Sequence, residues 1–206
     1  MSPLLAVFAT EGAEGLDCHN SYILSESKES LNCAVAYYEK KVENHNNNDD
    51  RLTLGSLYFL SNQKDKAIEL YEQVRGDEKS GDASYNLAQV YYSESKGNKD
   101  LNKVKMYLKE AADAGIAQAQ LELSYMYSTY LMNKDFSKAV KYLTDAAENN
   151  EKYGDGYVSE TVIKAQFILG KIYLDGMWGV EKNKNKASYW IELSSKNQAN
   201  KDYGVK

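Results

Sequence analysis

The sequence predicts an all-α chain folded as an α-solenoid of about five antiparallel helix pairs, and three observations predict it. The first is a Leu-small-x-apolar-Tyr template: Leu54-Gly55-Ser56-Leu57-Tyr58 returns as Leu87-Ala88-Gln89-Val90-Tyr91, Leu123-Ser124-Tyr125-Met126-Tyr127 and Leu169-Gly170-Lys171-Ile172-Tyr173. The second is an interleaved pattern, Lys66-Ala67-x-x-Leu70-Tyr71, matched by Lys103-Val104-x-x-Tyr107-Leu108, Lys138-Ala139-x-x-Tyr142-Leu143 and Lys186-Ala187-x-x-Trp190-Ile191, with Ala34-x-x-Tyr37-Tyr38 as an earlier copy lacking the Lys. The third is composition: the single proline is Pro3, so nothing later forces a helix to break, and the Ala, Leu, Lys, Glu and Gln content favours helix. Steps of 33, 36 and 46 residues for the first pattern, and 33, 37, 35 and 48 for the second, fall in or near the solenoid range. The 206 residues therefore read as one elongated array whose repeats stabilise their neighbours.

Residues 1–17 form an apolar N-terminal segment, Leu4-Leu5-Ala6-Val7-Phe8-Ala9 at its centre, with Val7 and Ala9 spaced like the small-residue end of a secretory signal. No basic residue precedes that run, so it is either a signal remnant or a strap packed on the first helix pair. No segment approaches the ~20 apolar residues needed to cross a bilayer. The repeat array occupies residues 18–197. In its first pair the second helix spans about residues 30–43 and the first lies within 16–25. The polar turn Asn44–Asp50 offers N-caps for the next helix. Pairs follow at residues 50–61 with 64–74, 82–93 with 100–114, 116–130 with 135–149, and 160–174 with 183–196. Asp100 and Asp135 stand where N-caps are wanted, and Gly115 where a helix should stop. Residues 198–206 are a tail, read as a frayed end or short cap.

One spacing breaks the pattern. From the second-helix small residue to the next template leucine the distance is 20 residues (Ala67 to Leu87) and 19 (Val104 to Leu123), but 30 from Ala139 to Leu169. The extra segment, Asn150–Ser159, carries Tyr153, Gly154-Asp155-Gly156 and Tyr157. Repeat proteins tend to place specificity in such per-repeat insertions, and a neutral surface loop is the alternative.

The small residue after the leucine lets the two helices of a pair approach closely, and the tyrosine three residues on shares that face. Stacked pairs leave a wall lined by first helices. By register that wall should present Asn86, Gln89 and Tyr92, then Glu122, Tyr125 and Thr129, then Lys171. This mixture suits a protein surface or peptide better than a small-metabolite pocket. Of eighteen tyrosines, Tyr58, Tyr91, Tyr127 and Tyr173 belong to the template and are expected at helix seams with the hydroxyl in water. Tyr92, Tyr125, Tyr153 and Tyr157 lie off the template, where amphipathic rings serve recognition. A net charge of −5 and scattered lysines lack the basic footprint of a nucleic-acid binder.

The stretch Ala165-x-x-x-Leu169-Gly170-x-x-Tyr173-x-x-Gly176-x-x-Gly179-Val180-x-x-Asn183-x-x-Lys186-Ala187-x-x-Trp190 resembles the Sel-one-like repeat family, a relative of the tetratricopeptide repeats. The resemblance covers roughly residues 50–196 and implies a right-handed solenoid. Family members usually hold one residue between the two loop glycines; Met177-Trp178 makes two here. Trp178 then either folds back as a plug or projects as a contact anchor. Elsewhere Ala88 or Ser124 replaces the glycine, and Lys103-Val104 replaces Lys-Ala. The family implies a non-catalytic adaptor, frequent in secreted or periplasmic bacterial proteins, some of which are immunity partners of antibacterial toxins; certain cysteine-rich members suggest recognition of cell-wall fragments instead.

Chemistry has little to build on. The two histidines, His19 and His45, flank no acid–base constellation, and with Cys18 and Cys33 they fit no established zinc spacing. No catalytic residue, metal or cofactor is expected. Cys33 occupies the slot that Lys66, Lys103, Lys138 and Lys186 fill later, which places it off the core, and Cys18 is its one partner in the chain. Joined, they close a loop worth ~3 kcal/mol in the chain-entropy account and imply an oxidising compartment; free thiols in a reducing cytosol are the alternative. The sequence thus points to a periplasmic or secreted scaffold for a protein partner, a toxin or effector in the version the family suggests.

Overall fold

The computed structural model describes residue 18 and residues 27–77, 79–93, 101–129, 134–152 and 157–203. Its helices are α1 (Lys28–Asn44), α2 (Asn48–Leu60), α3 (Lys64–Val74), α4 (Ser80–Ser93), α5 (Leu101–Asp113), α6 (Ala117–Ser128), α7 (Phe136–Glu148), α8 (Glu160–Asp175) and α9 (Lys184–Tyr203). They fall into two compact units, one ending at Tyr107 and the other beginning at Leu108. In the first unit α2 packs on α1, α3 and α4; in the second α8 packs on α6, α7 and α9. The architecture is an all-α helical-repeat solenoid, and within each unit neighbouring first helices touch directly, α2 on α4 and α6 on α8.

Side-chain caps set where the helices begin. Ser27 Oγ accepts from the Ser30 N–H (3.1 Å), Asn47 Oδ1 from Asp49 (2.8 Å), Asp135 Oδ1 from Lys138 (3.1 Å) and Asn183 Oδ1 from Lys186 (2.9 Å). Each satisfies a first-turn amide that has no intrahelical acceptor, at about 1 kcal/mol per cap. Asp135 and the polar turn before α2 act as expected; Asp100 lies outside the described residues. The last helix runs past its expected end at Lys196 through Tyr203. Residues 197–203 contain no Gly or Pro, and Gln198 Nε2 donates to Asp202 Oδ1 (2.8 Å) while Lys201 pairs with Glu160 on α8.

Within a repeat the two sequence patterns meet. A Cβ placed on Gly55 would lie 2.6 Å from Cε1 of the fully buried Tyr71, and one on Gly170 would lie 2.6 Å from Ile191 Cγ1. The glycine is therefore what allows α2 onto α3 and α8 onto α9. Beside this contact, the Lys that opens the second pattern lies over the ring of the template Tyr in all four hairpins: Lys66 over Tyr58 (4.7 Å), Lys103 over Tyr91 (4.5 Å), Lys138 over Tyr127 (5.4 Å) and Lys186 over Tyr173 (5.0 Å). In two hairpins the second-pattern Tyr also stacks on the template ring, Tyr107 on Tyr91 at 5.5 Å and Tyr142 on Tyr127 at 5.7 Å, with ring planes within 7°.

The template hydroxyls do not all reach water. Tyr58 donates to Glu39 Oε1 on α1 at 2.6 Å, because the preceding repeat brings a carboxylate to the buried ring edge. The second-pattern Tyr107 likewise donates to Glu72 on α3, also at 2.6 Å. In α1 the Lys slot holds Cys33, exposed and disulfide-bonded to Cys18 with 5.5 Å between Cα atoms. A covalent link thus occupies the position where later repeats use a cation on a ring.

The second unit is centred on Leu121, Leu143, Ala165, Leu169, Ile172 and Trp190. A repeated amide seam flanks it. Gln120 Nε2 donates to the Ala112 carbonyl and Gln166 Nε2 to the Ala147 carbonyl, each at 3.1 Å, satisfying last-turn acceptors of α5 and α7. Asn149 and Asn197 then donate to the Gln120 and Gln166 Oε1 atoms, each at 3.0 Å.

Candidate protein-binding face

Because α6 and α8 are neighbouring first helices, one exposed face carries side chains from both. Thr161 Oγ1 of α8 donates to Gln118 Oε1 of α6 (2.7 Å), and Gln118 Nε2 donates to Glu122 Oε1 (3.0 Å). One turn along, Lys164 Nζ of α8 lies 5.8 Å from the Tyr125 ring centre. Tyr125 is 37% exposed, and part-burial among these neighbours pushes its phenol above the usual range. Helical spacing continues the α8 side of this surface through Phe167, Lys171 and Leu174. Phe167 is 49% exposed, and Leu174, next to the end of α8, is 40% exposed.

The residues expected on the wall are distributed as follows. Asn86, Gln89 and Tyr92 lie on α4 of the first unit, the first two half-buried and Tyr92 exposed. In the second unit Glu122 and Tyr125 share one side of α6, exposed Thr129 follows its end, and Lys171 projects from α8, where it pairs with Asp175 at 3.7 Å. Tyr125 is thus brought to α8, with Lys164 as the link. Lys164, Phe167 and Leu174 were missed, although the i, i+3, i+7, i+10 spacing of Lys164, Phe167, Lys171 and Leu174 was a readable signal.

The inserted segment is closed at its base. Lys152 and Val158 form an antiparallel bridge, the Ser159 N–H donates to the Glu151 carbonyl (3.0 Å), and Ser159 Oγ donates to Glu151 Oε2 (3.1 Å). Tyr157 is half-buried at this stem. Tyr153 and Gly154-Asp155-Gly156 lie outside the described residues.

Trp178 takes the first of its two expected courses. It is partly buried against the core of the second unit and stacks on Phe136 at the start of α7, with ring centres 6.4 Å apart and planes 6° apart. It packs there as a plug and does not project as an anchor. The second residue between the loop glycines gives Trp178 a φ of 55°, and the ring–ring and core contacts offset that left-handed backbone. Among the described residues no three His, Cys, Asp or Glu side chains gather as a metal ion would require, and no helix is long and apolar enough to cross a membrane.

With this geometry the comparisons with known proteins agree. Residues 117–151 and 163–198 match the family model of the Sel1 repeat, and residues 27–100 match that of anaphase-promoting complex, cyclosome, subunit 3. In these two stretches the chain is similar to the Sel1 repeat. The two matched repeats are the hairpins α6–α7 and α8–α9, the pairs that supply the face just described. A Sel1-repeat-containing protein of Escherichia coli strain K12, YjcO, is 28% identical over 143 residues, covering 69% of this chain and 58% of that protein. The chain therefore spans less than two thirds of the length of the curated relatives it matches. Among solved structures, a Sel1 repeat protein from Oxalobacter formigenes superposes with a TM-score of 0.64 at 22% identity, covering 89% of this chain and 72% of that one. The protein c5321, a protective antigen present in uropathogenic Escherichia coli strains displaying an SLR fold, gives 0.60 at 22% identity over 91% and 40% of the two chains. These likenesses show the fold, an all-α helical-repeat solenoid.

Proposed function

We propose that the chain is a non-enzymatic adaptor of the periplasm or cell exterior that captures a protein partner on the α6–α8 face and the adjoining 150–159 loop. The observation that carries this reading is the patch formed by Tyr125, Lys164 and Phe167. Two part-exposed aromatic rings, Tyr125 and Phe167, are the kind of side chain that supplies contact energy at protein interfaces, where aromatic residues are enriched. The Cys18–Cys33 disulfide supports an oxidising compartment. In the most concrete version the partner is a secreted antibacterial toxin and the chain confers immunity by occluding it, with its net charge of −5 steering a basic partner.

The test is co-expression with candidate toxins encoded beside the gene in its source cell, combined with a direct affinity measurement. Protection and binding should be lost in the Tyr125→Ala/Tyr157→Ala double variant and kept in Tyr189→Ala, which alters an exposed ring on α9. Full protection by the double variant would eliminate this face. Muropeptides form the competing arm: a thermal shift with them, abolished by the same double variant, would replace the protein partner with a cell-wall fragment.

A further inference from the structure

Glu39 and Glu72 hold the same position of their second helices, five residues after Ala34 and Ala67, and each accepts a tyrosine hydroxyl from the following repeat at 2.6 Å. Around Tyr107 this arrangement has three parts. Tyr91 stacks on its ring with centres 5.5 Å apart. Arg75 lies over the same ring, 5.2 Å from its centre, and pairs with Glu72 at 3.1 Å. The Glu72 carboxylate is the third part, held between the phenol and the guanidinium, where a charge-assisted hydrogen bond is short and strong.

One repeat on, two of the three parts return. Tyr142 holds the position of Tyr107, with Tyr127 stacked on it at 5.7 Å and Lys141 over its ring at 4.7 Å. The carboxylate does not return: the position of Glu72 is Lys109 in α5. Tyr142 is only 7% exposed, yet its hydroxyl makes no hydrogen bond among the described residues. Burial holds this phenol above its usual range, so it stays a donor at neutral pH, and the charged side chains that act on it are Asp113, Lys141 and Lys109. Lys109 pairs with Asp113 at 3.3 Å and Lys141 with Asp145 at 2.7 Å, each within its own helix, and neither carboxylate accepts from Tyr142. Pairs of this kind between solvent-facing side chains exchange readily.

We propose that Tyr142, Lys109 and Lys141 form a binding site for a carboxylate that none of the described residues supplies, seated against Tyr142 as Glu72 is against Tyr107. The phenol gives the hydrogen bond that Tyr107 gives to Glu72, Lys141 takes the part of Arg75, and Lys109 turns toward the incoming anion. A carboxylate fits better than a phosphate, because a dianion would meet the repulsion of Asp113 and Asp145 as well. The carboxylate is the side chain of a partner's Glu or Asp, or a small free acid. The site is built on α5 and α7 and stands independently of the α6–α8 face.

The test uses the full chain labelled with carbon-13 at the tyrosine Cζ, the Tyr142 resonance being assigned by its loss in Tyr142→Phe. Sodium acetate and two end-blocked tripeptides, Gly-Glu-Gly and Gly-Gln-Gly, are titrated at constant ionic strength. Acetate and the Glu peptide should move the Tyr142 resonance saturably, and the Gln peptide should not. Lys109→Glu should supply the carboxylate from within, displacing the resonance without ligand and weakening both acids at least tenfold; Lys109→Met/Lys141→Met should weaken them about tenfold with an unchanged circular dichroism spectrum. A Glu peptide at least tenfold tighter than acetate identifies a protein side chain as the source, and equal affinities a free acid. The absence of a saturable shift, an equal response to the Gln peptide, full binding by Lys109→Glu, or tighter binding of inorganic phosphate than of acetate overturns the proposal.

Discussion

Gly170 and Ser124 hold the same template slot in neighbouring repeats, and replacing each with Ala should move stability in opposite directions. At Gly170 the new Cβ would lie 2.6 Å from Ile191 Cγ1 and 3.2 Å from both the Ala187 carbonyl oxygen and the Ile191 amide nitrogen. The side chain could turn aside, but the two backbone atoms belong to α9 and move only if the hairpin opens. Overpacking of this kind costs about 1–3 kcal/mol, against a gain of about 1 kcal/mol for Ala over Gly within a helix. A net loss of about 1 kcal/mol is expected for Gly170→Ala. Ser124 is fully buried and its Oγ has no hydrogen-bond partner, so its hydroxyl was desolvated without compensation. Removing it should return about 1–2 kcal/mol, the usual penalty of an unsatisfied buried polar group. Both tryptophans, Trp178 and Trp190, lie in the unit that contains these positions. Urea titration followed by tryptophan fluorescence therefore reads the right unit. With a slope of about 2 kcal/mol/M, the two variants should differ in midpoint by about 1 M, on either side of the wild type. A Gly170→Ala variant as stable as the wild type would refute the close approach of α8 and α9, and a destabilised Ser124→Ala would refute the unsatisfied hydroxyl.

Reducing the Cys18–Cys33 bond should lower stability by up to about 3 kcal/mol for a loop of this size, seen as an earlier urea transition in far-ultraviolet circular dichroism; coincident curves with and without reductant would contradict a stabilising link. A double-mutant cycle of Lys66→Met with Tyr58→Leu should return a coupling of about 0.5–1 kcal/mol, and a value of zero would mean that the recurrent Lys–Tyr geometry carries no energy. Burial, reinforced by the hydrogen bonds to Glu39 and Glu72, holds the Tyr58 and Tyr107 phenols well above their usual range, and burial alone does so for Tyr71. These protons stay on in the folded state while unfolded tyrosines ionise near pH ~10. Stability should thus be complete below about pH 10 and fall above it, by up to about 1.4 kcal/mol per pH unit for each group. Denaturant midpoints across that range check it, and Tyr58→Phe should flatten the slope.

The fold was legible because its determinants are local and repeated. Lys64–Val74 was bounded correctly from sequence, and the other helices from α1 to α8 to within two residues, since Leu, the small residue and Tyr recur at helical spacing and Asp135 and Asn47 announce helix starts; the helix expected within residues 16–25 lies outside the described residues. The end of α9 was missed because residues 197–203 lack template positions, and their long-range contacts, Lys201 with Glu160 and Asn197 with Gln166, follow no sequence pattern. Tyr125 could be named because it stands off the template on a helix whose inward side was already assigned. The cation beside it could not, since Lys164 reaches that ring only when α8 is laid on α6. The Gln120 and Gln166 seam was equally hidden: its acceptors are backbone carbonyls that no sequence pattern marks.

The bridged stem beneath the inserted segment has an engineering consequence. Lys152, Val158, Glu151 and Ser159 clamp the two strands at the base, and Ser159 also caps α8 through the Val162 N–H. This clamp and cap fix the register of α8, so foreign peptides of varied length spliced in between Lys152 and Tyr157 should leave the helices packed as they are.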